Sequence, residues 1–195
     1  MSLSGKKIGF GISGSHHSHV FVFKELTRLV KEGADVYPFI TDAVKNTDTI
    51  HGKAVDKIKK IEEITGKPVV SNIVEAEPFG PKIPLDCMVI APLTGNSLSK
   101  LANAVTDNAV LMAAKATLRN DSPVVLGVST NDALGLNGMN LMRLIATKNI
   151  FFIPFGQDAP FDKPNSLVAD WPSLHETIKF ALSKNQIQPI IISYN

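Results

Sequence analysis

The segment "IGFGISGSHHSHVF", residues 8 to 21, combines three glycines with three histidines, and both residue types commonly carry chemistry. Gly9, Gly11 and Gly14 fit the spacing G-x-G-x-x-G, which is typical of the loop that holds the pyrophosphate of a dinucleotide. The histidines could bind a metal ion or transfer a proton. The spacing therefore allows a dinucleotide site, a metal site or a proton-transferring site.

The register of the glycines argues against a dinucleotide site. In such a site a strand precedes the first glycine, whereas only "KKI" leads into Gly9. A strand of ordinary length must run through Gly9 to about Ile12, which puts the turn at residues 13–15. The second strand then ends at Thr41, not at the acidic residue that binds a dinucleotide ribose, although Asp42 follows directly. We therefore interpret the match as accidental.

A narrower function remains for the turn Ser13-Gly14-Ser15, which joins the first predicted strand to the first helix. Its backbone N–H groups, the helix dipole and two hydroxyls make a site suited to a phosphate. The alternative is a tight turn that needs Gly14 for its backbone angles alone.

The histidines fit a metal site poorly. His16 and His17 are adjacent and point apart, whereas His16 and His19 could share one helix face. Zinc takes three or four protein ligands, and His51 and His175 lie on distant segments. We therefore expect no metal. Either one imidazole reaches the mouth of the turn as an acid or base, or the histidines are solvated residues at a helix start, with His19 covering the core.

Strand-like and helix-like segments alternate along the chain, which predicts an α/β protein with a three-layer αβα, Rossmann-like fold and a mostly parallel sheet of about six strands. The predicted strands are "KKIGFGI", "ADVYPFI", "PVVSN", "DCMVIAPL", "SPVVLGVS" and "IFFIPF". The predicted helices are "HVFVFKELTRLVKEG", "GKAVDKIKKIEEITG", "NSLSKLANAVTDNAVLMAAKATLRN", "NLMRLIATKN" and "DWPSLHETIKFALSKN", the third of which breaks near residues 106–108. The segment 155–166 is predicted as a loop, and the tail "IQPIIISYN" as an edge strand or a contact with another subunit.

Several side chains of these helices have predicted positions. The second helix is expected to bury Val55, Ile58, Ile61 and Ile64 and to expose the basic cluster Lys57, Lys59 and Lys60. After the break, Thr106 or Asp107 is expected to cap the next helix, and Asp170 the last one.

The totals limit what the chain can be. The 195 residues suffice for one α/β domain, predicted over residues 1–195, and a net charge of +2 gives no reason to expect nucleic acid or an anionic membrane as a partner. A single cysteine, Cys87, excludes an internal disulfide and indicates a reducing compartment. The chain has no apolar run that could span a bilayer and no signal-peptide-like region, so we expect a cytoplasmic protein.

In parallel sheets, ligands bind beyond the carboxyl ends of the strands. The fourth predicted strand leads there into "APLTGNSLSKLANAVTDN", residues 91 to 108. This stretch resembles the A-P-A-S-A-N-T-x-x-K-x-A-x-G-x-x-D-N signature of the flavoproteins that include phosphopantothenoylcysteine decarboxylase, the peptidyl-cysteine decarboxylases and flavin prenyltransferase. The matching positions are Ala91, Pro92, Asn96, Lys100, Ala102, Asp107 and Asn108. Weaker matches at "GISGS", "FITDAV", "NLMRL" and "IFFIPF" extend the resemblance over about residues 5 to 160.

The resemblance implies that the cofactor is FMN. It implies FMN contacts at Gly11, Ser13, Gly14, Thr41, Thr94 and Ser97. Four neighbours complete the candidate cofactor-binding set, namely Ser15, Pro92, Asn96 and Ser129.

The chain departs from the family where its reactions are catalysed. After the fifth strand it has "VSTNDALGLNGMN", without the proline of the decarboxylase segment Pro-x-Met-Asn and without the arginine of the prenyltransferases. Cys87 falls in a predicted buried strand and cannot be the catalytic cysteine of the decarboxylases. Neither decarboxylation nor prenyl transfer is therefore supported.

Three further segments, "GISGSHHS", "STNDALGLNGMNL" and "PNSLVADW", resemble one branch of the family, a redox subunit that acts during spore formation. This narrower resemblance implies a partner subunit through which NADPH is supplied, a small dicarboxylate substrate, and a location in the mother-cell cytoplasm. The residues that could face the dicarboxylate are Asn96, Lys100, Ser129, Asn131 and one histidine of the cluster at residues 16–19. The candidate catalytic residues are His16, His17 and Asn131.

Two alternatives stay open at the level of the sequence. One is an FMN enzyme of the decarboxylase or prenyltransferase type with altered catalytic residues. The other is a scaffold subunit without catalysis, whose family pocket is merely structural. Family members also form oligomers, so we expect a homo-oligomer with the apolar tail and the loop 155–166 as candidate contacts.

Overall fold

The computed structural model describes residues 2–194, which form one seven-stranded sheet with helices on both faces. The strands are β1 Lys7–Ile12, β2 Asp35–Ile40, β3 Cys87–Leu93, β4 Val124–Thr130, β5 Ile150–Phe152, β6 Phe155–Gly156 and β7 Leu167–Ala169. Their order is β2-β1-β3-β4-β7-β6, with β5 paired to β4. Strands β1 to β5 are parallel, whereas β7 is antiparallel to both β4 and β6.

Eight α-helices in the described part of the chain complete the two outer layers. They are α1 His19–Lys31, α2 Asp42–Asn46, α3 Ala54–Thr65, α4 Ile73–Ala76, α5 Gly95–Ala102, α6 Ala109–Arg119, α7 Gly138–Ile145 and α8 Leu174–Leu182. Leu26 of α1, Ile61 of α3 and Ile178 of α8 belong to the core on one face. Leu98 of α5 and Val110 of α6 belong to the core on the other face. The predicted three-layer α/β fold is confirmed.

The glycines of β1 serve packing inside the sheet. Alternate side chains of β1 fill the core on the α1 face, and the positions between them are Gly9 and Gly11. A Cβ on Gly9 would lie 2.6 Å from Met88 Sδ, and one on Gly11 would lie 2.7 Å from Val110 Cγ1. Both glycines thus leave room for side chains of the α6 layer. The strand runs through them to Ile12, as the register argument predicted, and Gly11 lines neither of the cavities described below.

The buried face of α3 differs from the prediction. Val55 is 66% exposed, whereas Lys57, expected on the solvated face, is only 6% exposed. The inward row is Ala54, Lys57, Ile61 and Thr65, which keeps helical spacing but starts one residue earlier. This rotation is possible because the Lys57 ammonium finds polar partners at the end of β1.

Two other local predictions were wrong. "PVVSN" contributes only a single bridge between Val70 and Phe39, because the chain enters α4 at Ile73. Asn108, not Thr106 or Asp107, caps α6 and accepts the N–H of Leu111 at 3.1 Å, since Asp107 pairs with Lys100.

The last part of the chain holds strands that the sequence did not indicate. The segment predicted as a loop, residues 155–166, begins with β6, and β7 starts directly after this segment at Leu167. The side chain of Asp170 accepts the Ser173 hydroxyl and not a backbone N–H, so it does not cap the last helix as expected. The tail forms one parallel bridge, from Ile191 to Phe155, and so lies along β6.

Replacing Gly11 by alanine tests the packing role. The added methyl has no space beside Val110, so we expect Gly11→Ala to lower the free energy of unfolding by about 1–3 kcal/mol, measured by urea denaturation. Gly138→Ala is the control, since its Cβ would meet nothing closer than 3.5 Å. A Gly11→Ala protein as stable as the wild type would contradict this role.

Candidate functional site

The carboxyl ends of β1 and β3 form the crevice in which this sheet order places ligands. The two strands are neighbours in the sheet, yet α1 follows β1 on one face and α5 follows β3 on the other. Such a switch point leaves a gap between the outgoing chains, and ligands of open α/β sheets bind there. The turn at residues 13–15 and the start of α5 border this gap.

Ser13 ties the two strand ends together. Its hydroxyl donates to the carbonyl oxygen of Pro92 at 2.6 Å and accepts the N–H of Thr94 at 3.0 Å. Thr94 is the N-cap of α5, and its Oγ1 accepts the N–H of Ser97 at 3.4 Å. Ser13 and Pro92 were predicted as cofactor contacts. In the structure both form the buried link that holds the turn against α5, and their contact with a cofactor stays a prediction.

A small cavity of about 290 Å³ lies beside this link, and we call it the hydroxyl cavity. Its lining is Gly14, Thr41, Asp42, Ala43, Thr94, Asn96, Ser97, Lys100, Asp107 and Asn108. Thr41 Oγ1 is buried there without a hydrogen-bond partner among residues 2–194. Buried hydroxyls are normally satisfied, so Thr41 is a residue of this cavity whose hydroxyl lacks, within the described chain, the partner that it would be expected to have. A Cβ on Gly14 would lie 3.0 Å from the Ala43 methyl and would narrow the cavity.

A larger cavity of about 660 Å³, the main cavity, adjoins it and shares Gly14, Thr94 and Asn96. The other lining residues are Ser15, His16, His17, Thr49, His51, Gly95, Ser129, Thr130, Asn131, Asp132, Asp158, Lys163, Ser166 and Val168. Its volume is in the range usual for small-molecule sites. Five separate segments meet here, so the cavity exists only in the folded chain.

Hydroxyl and carboxylate groups hold the floor of the main cavity in place. Ser129 at the end of β4 is 2.8 Å from both Ser15 and Ser18, Oγ to Oγ. The carboxylate of Asp132 accepts from Thr130 at 2.6 Å and from Asn137 at 2.7 Å. The turn after β1 and the loop after β4 are therefore both fixed by side-chain bonds.

His19 is buried at the start of α1, and its Nε2 lies 2.8 Å from the Ser13 carbonyl oxygen. A carbonyl can only accept, so Nε2 carries the ring proton. Burial lowers the pKa of His19 to about 4, against the hydrogen bond to Ser13, which raises it. His19 thus covers the core, as one of the two interpretations expected, and also fixes the backbone of the turn.

His16 and His17 line the main cavity as neutral imidazoles. Burial lowers the pKa of His16, and the charges of Lys57, His51 and His17 lower it further. Burial and then the charge of Lys163 lower the pKa of His17, although Asp158 opposes them. Both pKa values fall below 6.5, so both rings can accept a proton at neutral pH.

Most of the predicted site residues meet in the two cavities. Those brought together are Gly14, Ser15, His16, His17, Thr41, Thr94, Asn96, Ser97, Ser129 and Asn131. Lys100 lines the hydroxyl cavity, where Asp107 pairs with it, and its contact with a dicarboxylate stays a prediction.

The sequence did not indicate the residues that close the main cavity from α3 and from the loops. The lining residues are Thr49, His51, Asp132, Asp158 and Lys163, and Lys57 of α3 supports His16 and Thr49 from behind. The polar run "TDTIHGK" after the second strand was a usable signal for Thr49 and His51. Lys57 carried no signal, because its helix position matched a solvated face.

Metal ligands and membrane-spanning helices are both absent from the described part of the chain. Between residues 2 and 194, no three side chains of His, Cys, Asp or Glu come together as metal ligands would. No helix in that range is long and apolar enough to cross a membrane.

A cavity at the β1–β3 switch point, lined by threonine and serine hydroxyls and a glycine turn, is the arrangement expected of an FMN-binding fold. The chain belongs to the flavoprotein family, whose model, described as Flavoprotein, matches residues 1–177. Over 191 residues it is 63% identical to the B subunit of dipicolinate synthase from Bacillus subtilis (strain 168), covering 98% of this chain and 96% of that protein.

Solved structures agree with this assignment. The crystal structure of the dipicolinate synthase B subunit from Bacillus halodurans C has a TM-score of 0.92 and 60% identity, with all of both chains covered. The FMN-dependent cysteine decarboxylase SpaF has a TM-score of 0.67 at 20% identity, covering 93% of this chain and 99% of that one, and shares the fold. The resemblance to the flavoprotein family is confirmed, and so is the narrower similarity to the B subunits of dipicolinate synthase.

The buried His19 predicts how stability depends on pH. The unfolded chain protonates this histidine near pH 6.5, whereas the folded protein does so only near pH 4. Between these values the unfolded state binds more protons. Lowering the pH through this range therefore lowers stability, by up to about 1.4 kcal/mol per pH unit on account of His19.

His19→Gln keeps a side-chain N–H for the Ser13 carbonyl but cannot titrate. Urea denaturation across that pH range gives the free energy of unfolding as a function of pH, and we expect its slope to be shallower for the variant than for the wild type. His16 and His17 contribute to the slope in both proteins, because their pKa values are lowered as well. Equal slopes would show that the pH dependence of stability does not arise from His19.

Proposed function

We propose that the chain is the B subunit of a dipicolinate synthase, built as a single flavoprotein domain over residues 1–195. In this proposal it works with a nicotinamide-binding A subunit to oxidise dihydrodipicolinate to dipicolinate during sporulation. The support is the 63% identity over nearly the full chain to a protein of that name, together with a cavity suited to a small ligand. The mother-cell cytoplasm is the proposed location.

FMN is the proposed cofactor, and the single observation that carries it is the unsatisfied hydroxyl of Thr41. Thr41 faces the same small cavity as Thr94, Ser97 and the Gly14 turn. Hydroxyls and backbone N–H groups at helix starts suit a phosphate, so these residues would hold the phosphate end of FMN. The main cavity adjoins them and has room for a ring system.

The oxidation removes a hydride and a proton from the dihydro ring. When bound, FMN would supply a hydride acceptor, and oxidised nicotinamide on the partner subunit would take the hydride from it and leave as NADPH. The proton falls to the chain's own residues: the neutral imidazole of His17 lines the cavity as an acceptor, whereas His16, whose Nδ1 accepts from the Lys57 ammonium, offers an N–H to the ligand. Asn131, exposed on the opposite loop, would orient the substrate through its amide.

Contacts with other subunits are also proposed. Phe161, in the loop that borders the main cavity, is 99% exposed. Leu136 and Met139, near the start of α7, are exposed as well. Exposed apolar side chains grouped near a site commonly mark a protein interface. We therefore propose a homo-oligomer, with the A subunit as a further partner.

A decarboxylase mechanism is disfavoured by Cys87. The thiol is fully buried within β3, and burial raises its pKa far above neutrality. It can neither reach a substrate nor act as a thiolate. A scaffold subunit is the remaining alternative. The hydroxyls of Ser13 and Ser129 already form hydrogen bonds within the chain, which favours a structural role for them over ligand binding.

Titration with FMN tests the cofactor. We expect the wild type to take up FMN with a shifted visible spectrum, and Thr41→Val to weaken FMN binding by about tenfold or more, since hydrogen bonds to charged groups contribute about 1.5–3 kcal/mol. Without FMN, Thr41→Val should be at least as stable as the wild type, because it removes a buried unsatisfied hydroxyl. Thr117→Val is the matched control, a buried threonine in α6 whose hydroxyl bonds Ala113 O.

Reconstitution with the A subunit tests the function. We expect oxidation of dihydrodipicolinate only when both subunits and FMN are present. A colourless protein that takes up no FMN but is still required by its partner would favour the scaffold alternative. A protein active alone on an alkyl donor would favour a prenyltransferase.

A further inference from the structure

A buried cation without a counter-charge in the described chain, Lys57, lies behind His16 and Thr49, two residues that line the main cavity, and itself lines a third cavity described below. The Lys57 ammonium is 3.2 Å from His16 Nδ1 and 3.1 Å from Thr49 Oγ1, and its side chain is 6% exposed. None of the ion pairs within residues 2–194 involves Lys57. Burying an ammonium without an anion is costly. An anion from outside the chain would compensate this cost.

The bond from Lys57 orients His16. An ammonium can only donate, so Nδ1 of His16 accepts, and the ring proton must sit on Nε2. That nitrogen lies 3.8 Å from the position that a Cβ on Gly14 would occupy. The Nε2–H therefore lies beside the glycine turn, whose Gly14 lines both cavities. Lys57 thus fixes the tautomer of His16, whose Nε2–H lies on the ring edge opposite the ammonium.

The wall beside Lys57 separates the main cavity from a third cavity of about 340 Å³. His16, His17 and His51 line both cavities, and the third adds Lys53, Lys57 and Lys60 against the single carboxylate of Asp56. The local charge is therefore positive. The loop before α3 is held to this wall, because Thr49 Oγ1 accepts both the His51 N–H and the Lys57 ammonium.

We propose that Lys57 and His51 form a carboxylate-binding subsite for the substrate of this chain, and that Lys57 holds His16 in the tautomer that donates from Nε2. That the ligand is a dicarboxylate rests on the proposed function. Neither Lys57 nor His51 lines the hydroxyl cavity, where Thr41 and neutral hydroxyls already suit a phosphate. Lys163, on another part of the main cavity, provides a second cation for the second carboxylate.

Calorimetric titration of the FMN-saturated protein and of the protein alone tests the subsite, with pyridine-2,6-dicarboxylate, FMN and inorganic phosphate as separate probes. We expect Lys57→Met to weaken dicarboxylate binding by about tenfold or more and to leave FMN binding unchanged. Lys59→Met is the matched control, since it removes the same charge from the outer face of α3. The Lys59→Met variant should bind the dicarboxylate and FMN like the wild type.

Folding is checked by the melting temperature, which Lys57→Met should leave unchanged or raise, because it removes an uncompensated buried charge. Lys57→Gln keeps a polar side chain and should show the same loss of dicarboxylate binding if the methionine variant does not fold.

Three outcomes overturn the subsite: a wild type that binds no dicarboxylate, Lys57 variants that bind it normally, or Lys57 variants that lose only FMN or phosphate. The last outcome would assign the ammonium to the cofactor. A wild type that takes up no FMN but binds the dicarboxylate through Lys57 would contradict the proposed cofactor and leave the subsite in place.

Discussion

The hydroxyl of Ser13 joins the ends of two neighbouring strands, and both cavities depend on this contact. It accepts the Thr94 N–H and donates to the Pro92 carbonyl, so the turn after β1 and the start of α5 cannot separate. The hydroxyl cavity opens on one side of Gly14 and the main cavity on the other. The Nε2–H of His19 donates to the Ser13 carbonyl oxygen and so holds the same turn. A short polar link between adjacent strand ends thus sets the spacing of every group proposed to contact a ligand.

The charge distribution around the turn has a common physical origin. Burial next to a lysine keeps His16 neutral, and burial alone accounts for most of the lowered pKa of His19. Neutral rings can accept protons or donate one N–H, whereas protonated rings would repel the ammonium of Lys57. The buried lysine therefore carries a positive charge without a counter-charge among the described residues, beside a neutral histidine, and this arrangement suits a negatively charged ligand.

The sequence predicted the parts of this arrangement that follow from local pattern. Strand–helix alternation indicated the layers, and the short lead-in to Gly9 correctly put the turn at residues 13–15. The sequence could not distinguish residues that pack or bond inside the protein, such as Gly11 and Ser13, from residues that line a cavity, such as Gly14 and Thr41. That distinction depends on how β3 and α6 pack against β1. Lys57 was misplaced because helical periodicity alone does not show where a polar partner such as His16 will meet a buried position.

The most direct test is a crystal structure of the protein with FMN bound. Our account predicts the phosphate in the hydroxyl cavity, within hydrogen-bonding distance of Thr41 Oγ1 and the Gly14 turn, with the ring in the main cavity and the Ser13–Thr94 contact intact. FMN bound elsewhere on the surface, or a site in which Ser13 and Thr94 have moved apart, would contradict it.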